Sequence, residues 1–434
     1  MLKEKTIFLN NMNTRFILLI TIAGFLFSCA KQENLLFQNP QNVERPDEVI
    51  VLTKNELSQK VELPVGLLPI FKNADNSLVP FQLDDMDNDG NWDEVAFLLN
   101  FAPNETKEIV VEFSDGTNYP PEFDKRTNLR LGIEQVDGSF KEVDHYQALP
   151  CDNGFKIIAQ AESVSWENDK MAFRNYFDCR NVKDLFGKLK PDLILDKIHT
   201  PEMGSYHDLS DWGMDVLHCG SSLGSGGIAL LKNDSLFRLG STEVYEYQKL
   251  TEGPVRSVFE LRYEGWDVDG EMLEAVEKIT IYPGKYWFES DVTVTGCPAG
   301  SQIVTGIVTS HLKREPFAFQ AGDFQVIGTH DVQSLNNDEL GMAAMVPLVE
   351  AGKIGRTTDI NFFKLGYETV PEKSFSHIIS ETYYIGQKCT SGQPAKHYFF
   401  SVWGPDKDQW KTEEGFREYM TEEAEKLSEP IRKL

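Results

Sequence analysis

Five segments of this chain read as long β-strands, and they leave little room for any fold class but a mainly β one. Val255–Tyr263, Leu273–Tyr282, Tyr286–Thr295, Ile303–Leu312 and His397–Trp403 are rich in Val, Ile, Thr and aromatic residues, with stretches of apolar–polar alternation. Pro283-Gly284-Lys285 joins two of them as the turn of a long hairpin. One strong amphipathic helix stands against them. Phe416, Met420, Ala424, Leu427 and Ile431 form its apolar stripe, and Pro430 sits near its end. We expect two large antiparallel sheets packed face to face over residues 125–434, with this helix on the outside of a sheet. A small β-sandwich is expected over 46–115, and a linker around Thr117–Arg126, which contains Pro120-Pro121.

The N-terminus reads as an address. Arg15 precedes an apolar run from Phe16 to Phe27, and Leu26-Phe27-Ser28-Cys29 closes it. The run is too short to span a bilayer, so residues 1–28 read as a signal peptide. Ser28 before Cys29 resembles a bacterial lipobox, which would make Cys29 the lipidated first mature residue; the alternative is a plain secretory signal with an incidental cysteine. Residues 29–45, with their Gln and Asn, read as a polar tether.

Charge narrows the partners. The chain carries −26, and residues 1–28 hold Lys3, Lys5 and Arg15 against Glu4, so the remainder is near −28. Nucleic acid demands a basic footprint and is excluded. An acidic oligosaccharide would need a local basic pocket. Cys151, Cys179, Cys219, Cys297 and Cys389 are odd in number, widely spaced and free of CxxC pairs. They read as buried small apolar residues and not as a disulfide framework or zinc ribbon.

The chemistry concentrates at the centre. Tyr206-His207-Asp208-Leu209-Ser210-Asp211-Trp212-Gly213-Met214-Asp215-Val216-Leu217-His218 runs into the glycine-rich turn Gly224-Ser225-Gly226-Gly227. His207, Asp211, Asp215 and His218 are residue types that bind metals, but no stereotyped helical ligand spacing is present. The glycine turn leads into the strand-like Ile228–Leu231, so no helix N-terminus waits for a phosphate. Arg174 is a candidate carboxylate binder, or a structural partner of Glu167 or Asp178. His311 and Lys313 share a face if the strand continues through them. Trp212, Tyr384 and His397 are candidates to contact a sugar ring, and equally candidates for the core.

Asp85-Met86-Asp87-Asn88-Asp89-Gly90-Asn91-Trp92-Asp93 has the alternating carboxylates of a calcium loop. The twelfth position is Ala96 and the flanks Val79–Leu83 and Val95–Leu99 read as strands, so it is not an EF-hand. Asp85, Asp87, Asp89 and Asp93 are read as a structural calcium site, or else as a metal-free hairpin turn.

The segments WENDKMAFRNYFD, DWGMDVLHCGSSLGSGGIAL and QLDDMDNDGNWDEVAFLL together resemble a family known as domain of unknown function 4861. That resemblance covers nearly the whole mature chain. It implies a galactose-mutarotase-like β-supersandwich and an exported protein of Gram-negative polysaccharide degradation, on the periplasmic or cell-surface face of the outer membrane. It also implies a uronic-acid substrate of ulvan or pectin type. The expected reaction is elimination of water or a sugar from a glucuronyl residue, giving a 4,5-unsaturated uronate. His207 or Tyr206 would act as base or acid with His311 as counterpart, Arg174 and Lys313 would hold the carboxylate, and Trp212 would stack on the ring. The alternatives are a glycoside hydrolase using Asp211, Asp215 or Glu167, or a non-catalytic glycan-binding lipoprotein.

Overall fold

The computed structural model describes residues 33–117, 119, 121–148, 158–359 and 378–434. Four of the five expected strands lie in one sheet, where Ser257–Val268, Glu271–Ile281, Trp287–Thr295 and Pro394–Trp403 are consecutive antiparallel neighbours. Further strands on both sides extend it to nine. Opposite lie two five-stranded sheets. One is ordered Gly213–Asp215, Lys183–Lys188, Met171–Tyr176, Ser163–Asn168 and Thr127–Arg130; the other holds Ser225–Lys232, Gln302–Val308 and Thr382–Lys388 at its centre. Side chains of both layers share one large apolar core, among them Trp166, Phe173, Phe259, Phe288, Phe399 and Trp403. This is a mainly β, antiparallel supersandwich.

The two five-stranded sheets meet at a parallel bridge between Lys183 and Gly224. Gly224 has φ +64°, and a Cβ there would lie 1.9 Å from the Lys183 carbonyl oxygen. Only glycine allows that approach, so the glycine turn is a packing device. The expected strand through Ile303–Leu312 ends at Val308. His311 and Lys313 therefore lie in a turn beyond it, not on a shared strand face.

A smaller sandwich precedes the large one. Its core holds Leu35, Phe37, Phe71, Phe81, Phe97 and Ile109. Two features differ from expectation. Glu33–Gln38, inside the stretch read as a tether, is a strand paired with Thr106–Ser114, because Leu35 and Phe37 alternate with exposed neighbours and reach the core. The stretch read as a linker also packs: Tyr119 and Phe123 join the small core. The C-terminal residues Arg432–Lys433 pair with Phe37–Gln38, so both ends of residues 33–434 close the same sheet.

The helix forms at Glu413–Ser428, with the Thr412 hydroxyl accepting the Gly415 N–H as N-cap. Phe416, Met420 and Ala424 are buried as the stripe requires. The helix stops before Pro430.

The cysteines depart from expectation. Cys297 and Cys389 form a disulfide across 92 residues, and Cys179 is disulfide-bonded too. Cys219 is free and buried as expected, and Cys151 lies outside the described residues. Strand neighbours bring Cys297 and Cys389 together: Trp287–Thr295 pairs with Pro394–Trp403, and each cysteine lies just past the same end of that ladder. Linear spacing carries no trace of such pairing. The signal peptide and Cys29 lie outside the described residues.

Candidate functional site

The site begins with strand register. In Met171–Tyr176, Met171 and Phe173 face the large core while Ala172 and Arg174 face the opposite side. That opposite side is roofed by the long connection between Lys183–Lys188 and Gly213–Asp215. Glu167 pins the roof at one end: its carboxylate accepts the N–H groups of Ile194 and Leu195 and the Lys188 ammonium. At the other end the Asp215 N–H donates to the Tyr206 carbonyl at 2.8 Å. Gln160 holds the middle by donating to the Ile198 carbonyl at 2.5 Å.

Under this roof lies a buried chain of charges. Arg174 pairs in register with Asp184 on the next strand. Its Nη2 donates to Asp184 Oδ2 at 2.6 Å, to Asp215 Oδ2 at 2.7 Å and to the Tyr176 hydroxyl at 2.8 Å. The Tyr176 hydroxyl in turn donates to Asp184 at 2.9 Å. His207 closes the chain, with Nδ1 3.2 Å from Asp215 Oδ2. Arg174, Asp184 and Asp215 are buried, whereas the His207 side chain is 59% exposed.

Electrostatics follow from this order. Burial and the neighbouring Asp215 push the Asp184 carboxyl up, and Arg174 opposes them. The hydrogen bond to Asp215 raises His207 above the usual imidazole range, against a smaller loss of hydration. Burial raises Tyr206, with Arg174 acting against it. With His207 protonated and both carboxyls ionised, two carboxylates, one guanidinium and one imidazolium would make a neutral set, the arrangement in which a desolvated cluster costs least.

His207 faces a cleft of about 910 Å³. Tyr206, His199, Phe140, Arg130 and the carboxylates of Glu134, Asp137, Asp196 and Glu202 also line it. The rings form a ladder: Phe140 to His199 at 5.8 Å, His199 to Tyr206 at 5.8 Å and Tyr206 to His207 at 4.2 Å. His199 holds φ +62°, a conformation a non-glycine residue rarely adopts. Sequence reasoning missed Arg130, Phe140 and His199. The aromatic or cationic character was visible, but the residues are too far apart in the chain to suggest one wall.

The structure thus unites Tyr206, His207 and Arg174, and it changes the part of Arg174. Its guanidinium is committed to Asp184 and Asp215, so it is not a substrate carboxylate binder, and its partners are not Glu167 or Asp178. Trp212 is buried beside Phe186 and offers no open face to a sugar. Tyr384 is buried in a small cluster with Leu223 and Val304. His397 is fully buried, and burial, with help from Lys183, drops its pKa to about 3. His311 stacks on His218. Asp211 is exposed and pairs with Lys190 at 2.5 Å.

The aspartate loop joins Phe81–Asp84 to Glu94–Phe101 as a hairpin, as its flanks required. The carboxylates of Asp85, Asp87 and Asp89 lie within 4.8 Å of one another and could hold a metal ion. Asp93 stands outside that group and accepts the Met86 N–H. The loop amides of Asp89, Gly90 and Asn91 already donate to the three clustered carboxylates.

Residues 37–432 match the model of a family described as a domain of unknown function, DUF4861. The chain belongs to this family. A relative from Formosa agariphila, named uncharacterized protein P7, is 23% identical over 438 residues, covering 95% of this chain and 96% of its own. Two solved structures from Enterococcus faecalis, an α-mannosidase and a protein of glycosyl hydrolase family 38, align with 93% of this chain at 10% and 9% identity, with TM-scores of 0.47 and 0.46. The chain spans about half the length of those two proteins, 46% and 47%.

Proposed function

We propose that this DUF4861 member is a carbohydrate-active enzyme that transforms an oligosaccharide in the cleft beside His207. The observation that supports the reading is the His207–Asp215 pair. A buried carboxylate holds Nδ1, which fixes the ring and leaves Nε2 for proton transfer in a cleft lined by aromatic faces. Such faces suit the C–H surfaces of a pyranose. With its raised pKa, His207 is suited to give a proton to a departing sugar oxygen and to take one back.

Hydrolysis is the favoured reaction, because Glu134, Asp137, Asp196 and Glu202 supply the carboxylate that a proton-donating His207 would need as its partner. Of the carboxylates expected for this role, Glu167 and Asp215 are committed to buried partners. Elimination from a uronate is the second reading. Arg130 favours it: this guanidinium lines the cleft and takes over the task expected of Arg174, neutralising the sugar carboxylate while His207 and Tyr206 move protons.

The test incubates the protein with neutral and uronic oligosaccharides and weighs the products. Hydrolysis adds water; elimination of water removes it, and any elimination creates an absorbing enol ether. His207→Gln is expected to lower turnover at least about 100-fold with folding intact. Sugar binding with neither a mass change nor an isomerisation seen by NMR for any substrate would leave only a glycan-binding role and sink the enzyme reading.

Export and lipidation at Cys29 belong to the same proposal. A disulfide between Cys297 and Cys389 suits an oxidising compartment outside the cytoplasm. Mass spectrometry of the membrane-extracted N-terminus tests it; an unmodified Cys29 rejects the anchor. Calcium is the ion proposed for Asp85, Asp87 and Asp89, all hard oxygen donors. A melting point unchanged by chelator and by added calcium would discard it.

A further inference from the structure

His218 and His311, outside the lining of the His207 cleft, form a second cluster. Their rings lie parallel, 3° apart in tilt, with centroids at 5.4 Å. Two segments distant in sequence are tied together to make this pair. The Ser310 hydroxyl donates to the His218 carbonyl at 3.4 Å, and the Leu335 N–H donates to the Val216 carbonyl at 2.9 Å. The Thr309 N–H is held by the Glu381 carbonyl at 2.7 Å. The turn that carries His311 is held by Asp331, whose carboxylate accepts the N–H groups of Lys313 at 2.7 Å, Arg314 at 2.8 Å and Val332 at 2.8 Å.

That use of Asp331 matters for charge. Its oxygens are spent on backbone amides, and the Arg314 guanidinium stays 3.9 Å away and largely exposed. The Lys313 ammonium is exposed and has no side-chain partner among the described residues. Ser310-His311-Leu312-Lys313-Arg314 contains no acid. Of the acidic groups nearby, Glu381 lies against Gly220 next to the His218 ring, and Glu315 follows in sequence. Burial and then His218 lower the pKa of His311, a hydrogen bond with the Gln333 backbone acts against them, and Lys313 lowers it further. On a molecule of net charge −26, two imidazoles beside the side chains of Lys313 and Arg314 lessen the repulsion that an anion meets.

We propose that His218, His311 and Lys313 form an anion subsite that takes the carboxylate or sulfate ester of an acidic saccharide. Lys313 supplies the charge, and the imidazole nitrogens not already engaged by the Ser310 hydroxyl and the Gln333 backbone supply directed hydrogen bonds. That the ligand is a saccharide rests on the reading of the His207 cleft; the preference for an anion does not.

The experiment follows the eight histidine ring signals of the full chain by NMR during titration with glucuronic acid, galactose 6-sulfate, glucose and sodium acetate at low salt. The His218 and His311 signals are expected to move with the anionic probes and not with glucose. The glucuronate and sulfate arms tell which group is preferred. Lys313→Met, an exposed change that leaves the fold intact, is expected to weaken anionic probes about tenfold. Equal response to glucose and glucuronate, or unchanged affinity in Lys313→Met, overturns the subsite. Movement of His207 alone overturns the subsite and keeps the cleft. Movement of His218 and His311 with acetate, in a protein that transforms no sugar, keeps the subsite and discards the cleft.

Discussion

Two of the buried charge clusters among the described residues differ in how they meet water. The first runs from Asp184 through Arg174 and Asp215 to the exposed ring of His207. In the second, Lys285 lies between Glu48 at 3.3 Å and Glu423 at 3.4 Å. Arg45 pairs with Glu48 at 2.9 Å, Lys426 with Glu423 at 2.8 Å, and the Trp287 indole N–H donates to Glu423 at 2.9 Å. That cluster ties the small sandwich, the hairpin before Trp287 and the C-terminal helix around a cavity of about 180 Å³. Removing the charges from water is costly at both places. The difference is the outlet. The Lys285 cluster braces three chain segments with side chains no more than 14% exposed, while the Arg174 cluster ends in a titratable ring, 59% exposed, beside a cleft.

The comparison breaks most visibly if the central cations are removed. Arg174→Met strips Asp184 of its cation and leaves Asp215 only His207, so it is expected to cost about 3–5 kcal/mol in urea unfolding; Lys285→Met leaves Glu48 to Arg45 and Glu423 to Lys426 and is expected to cost less. Only Arg174→Met should also lower turnover beyond what lost folding explains. A neutral result at either position would mean that its cluster braces nothing.

A control away from both clusters comes next. Cys297→Ser is expected to cost about 2–5 kcal/mol, read from the unfolding midpoint, with no change in the substrate affinity of the folded protein.

Acid separates the clusters more finely. Burial pushes Glu423 up, but Lys285 and Lys426 outweigh it and hold it at about 2, against 4.5 for a free carboxyl. Stability from this group is complete above pH 4.5 and is lost as the pH falls through about 2. His207 has the opposite sign. Its pKa is raised, so its contribution is complete below the ordinary value of 6.5 and is lost as the pH rises through the higher folded value. Unfolding midpoints of Glu423→Gln against the parent should converge in acid, and those of His207→Gln should converge in alkali.

The smallest expected effect is on a single titration. Asp215→Asn removes the charge that raises His207, so the imidazole signal should titrate at lower pH while the fold persists. An unmoved titration would show that Asp215 does not set the proton affinity of His207.

The strands, the helix and the aspartate hairpin were legible because each depends on a local period or a turn residue. Phe416, Met420 and Ala424 mark a stripe wherever the helix packs. Leu35 and Phe37 carried the same kind of signal, hidden by the Gln and Asn around them. The site was only half legible. Tyr206 and His207 stood out as neighbours in sequence, but the partners of Arg174 lie 10 and 41 residues away. Trp212 and His397 were indistinguishable from sugar-binding residues, since an aromatic ring suits a core and a glycan equally well.

Sequence alone determined that this chain builds antiparallel sheets with an amphipathic C-terminal helix, that its net charge is strongly negative, and that Tyr206–His218 is dense in titratable residues. Period-two alternation and net charge are properties of the chain itself. Tertiary structure decided which groups meet: Arg174 with Asp184 and Asp215, His218 with His311, and Cys297 with Cys389. The physical reason is that burial and register assign each polar side chain its partner. The central segment, with its two histidines, is therefore not one site. His207 ends a buried charge relay at a cleft, and His218 turns away to meet a ring that arrives from another sheet connection.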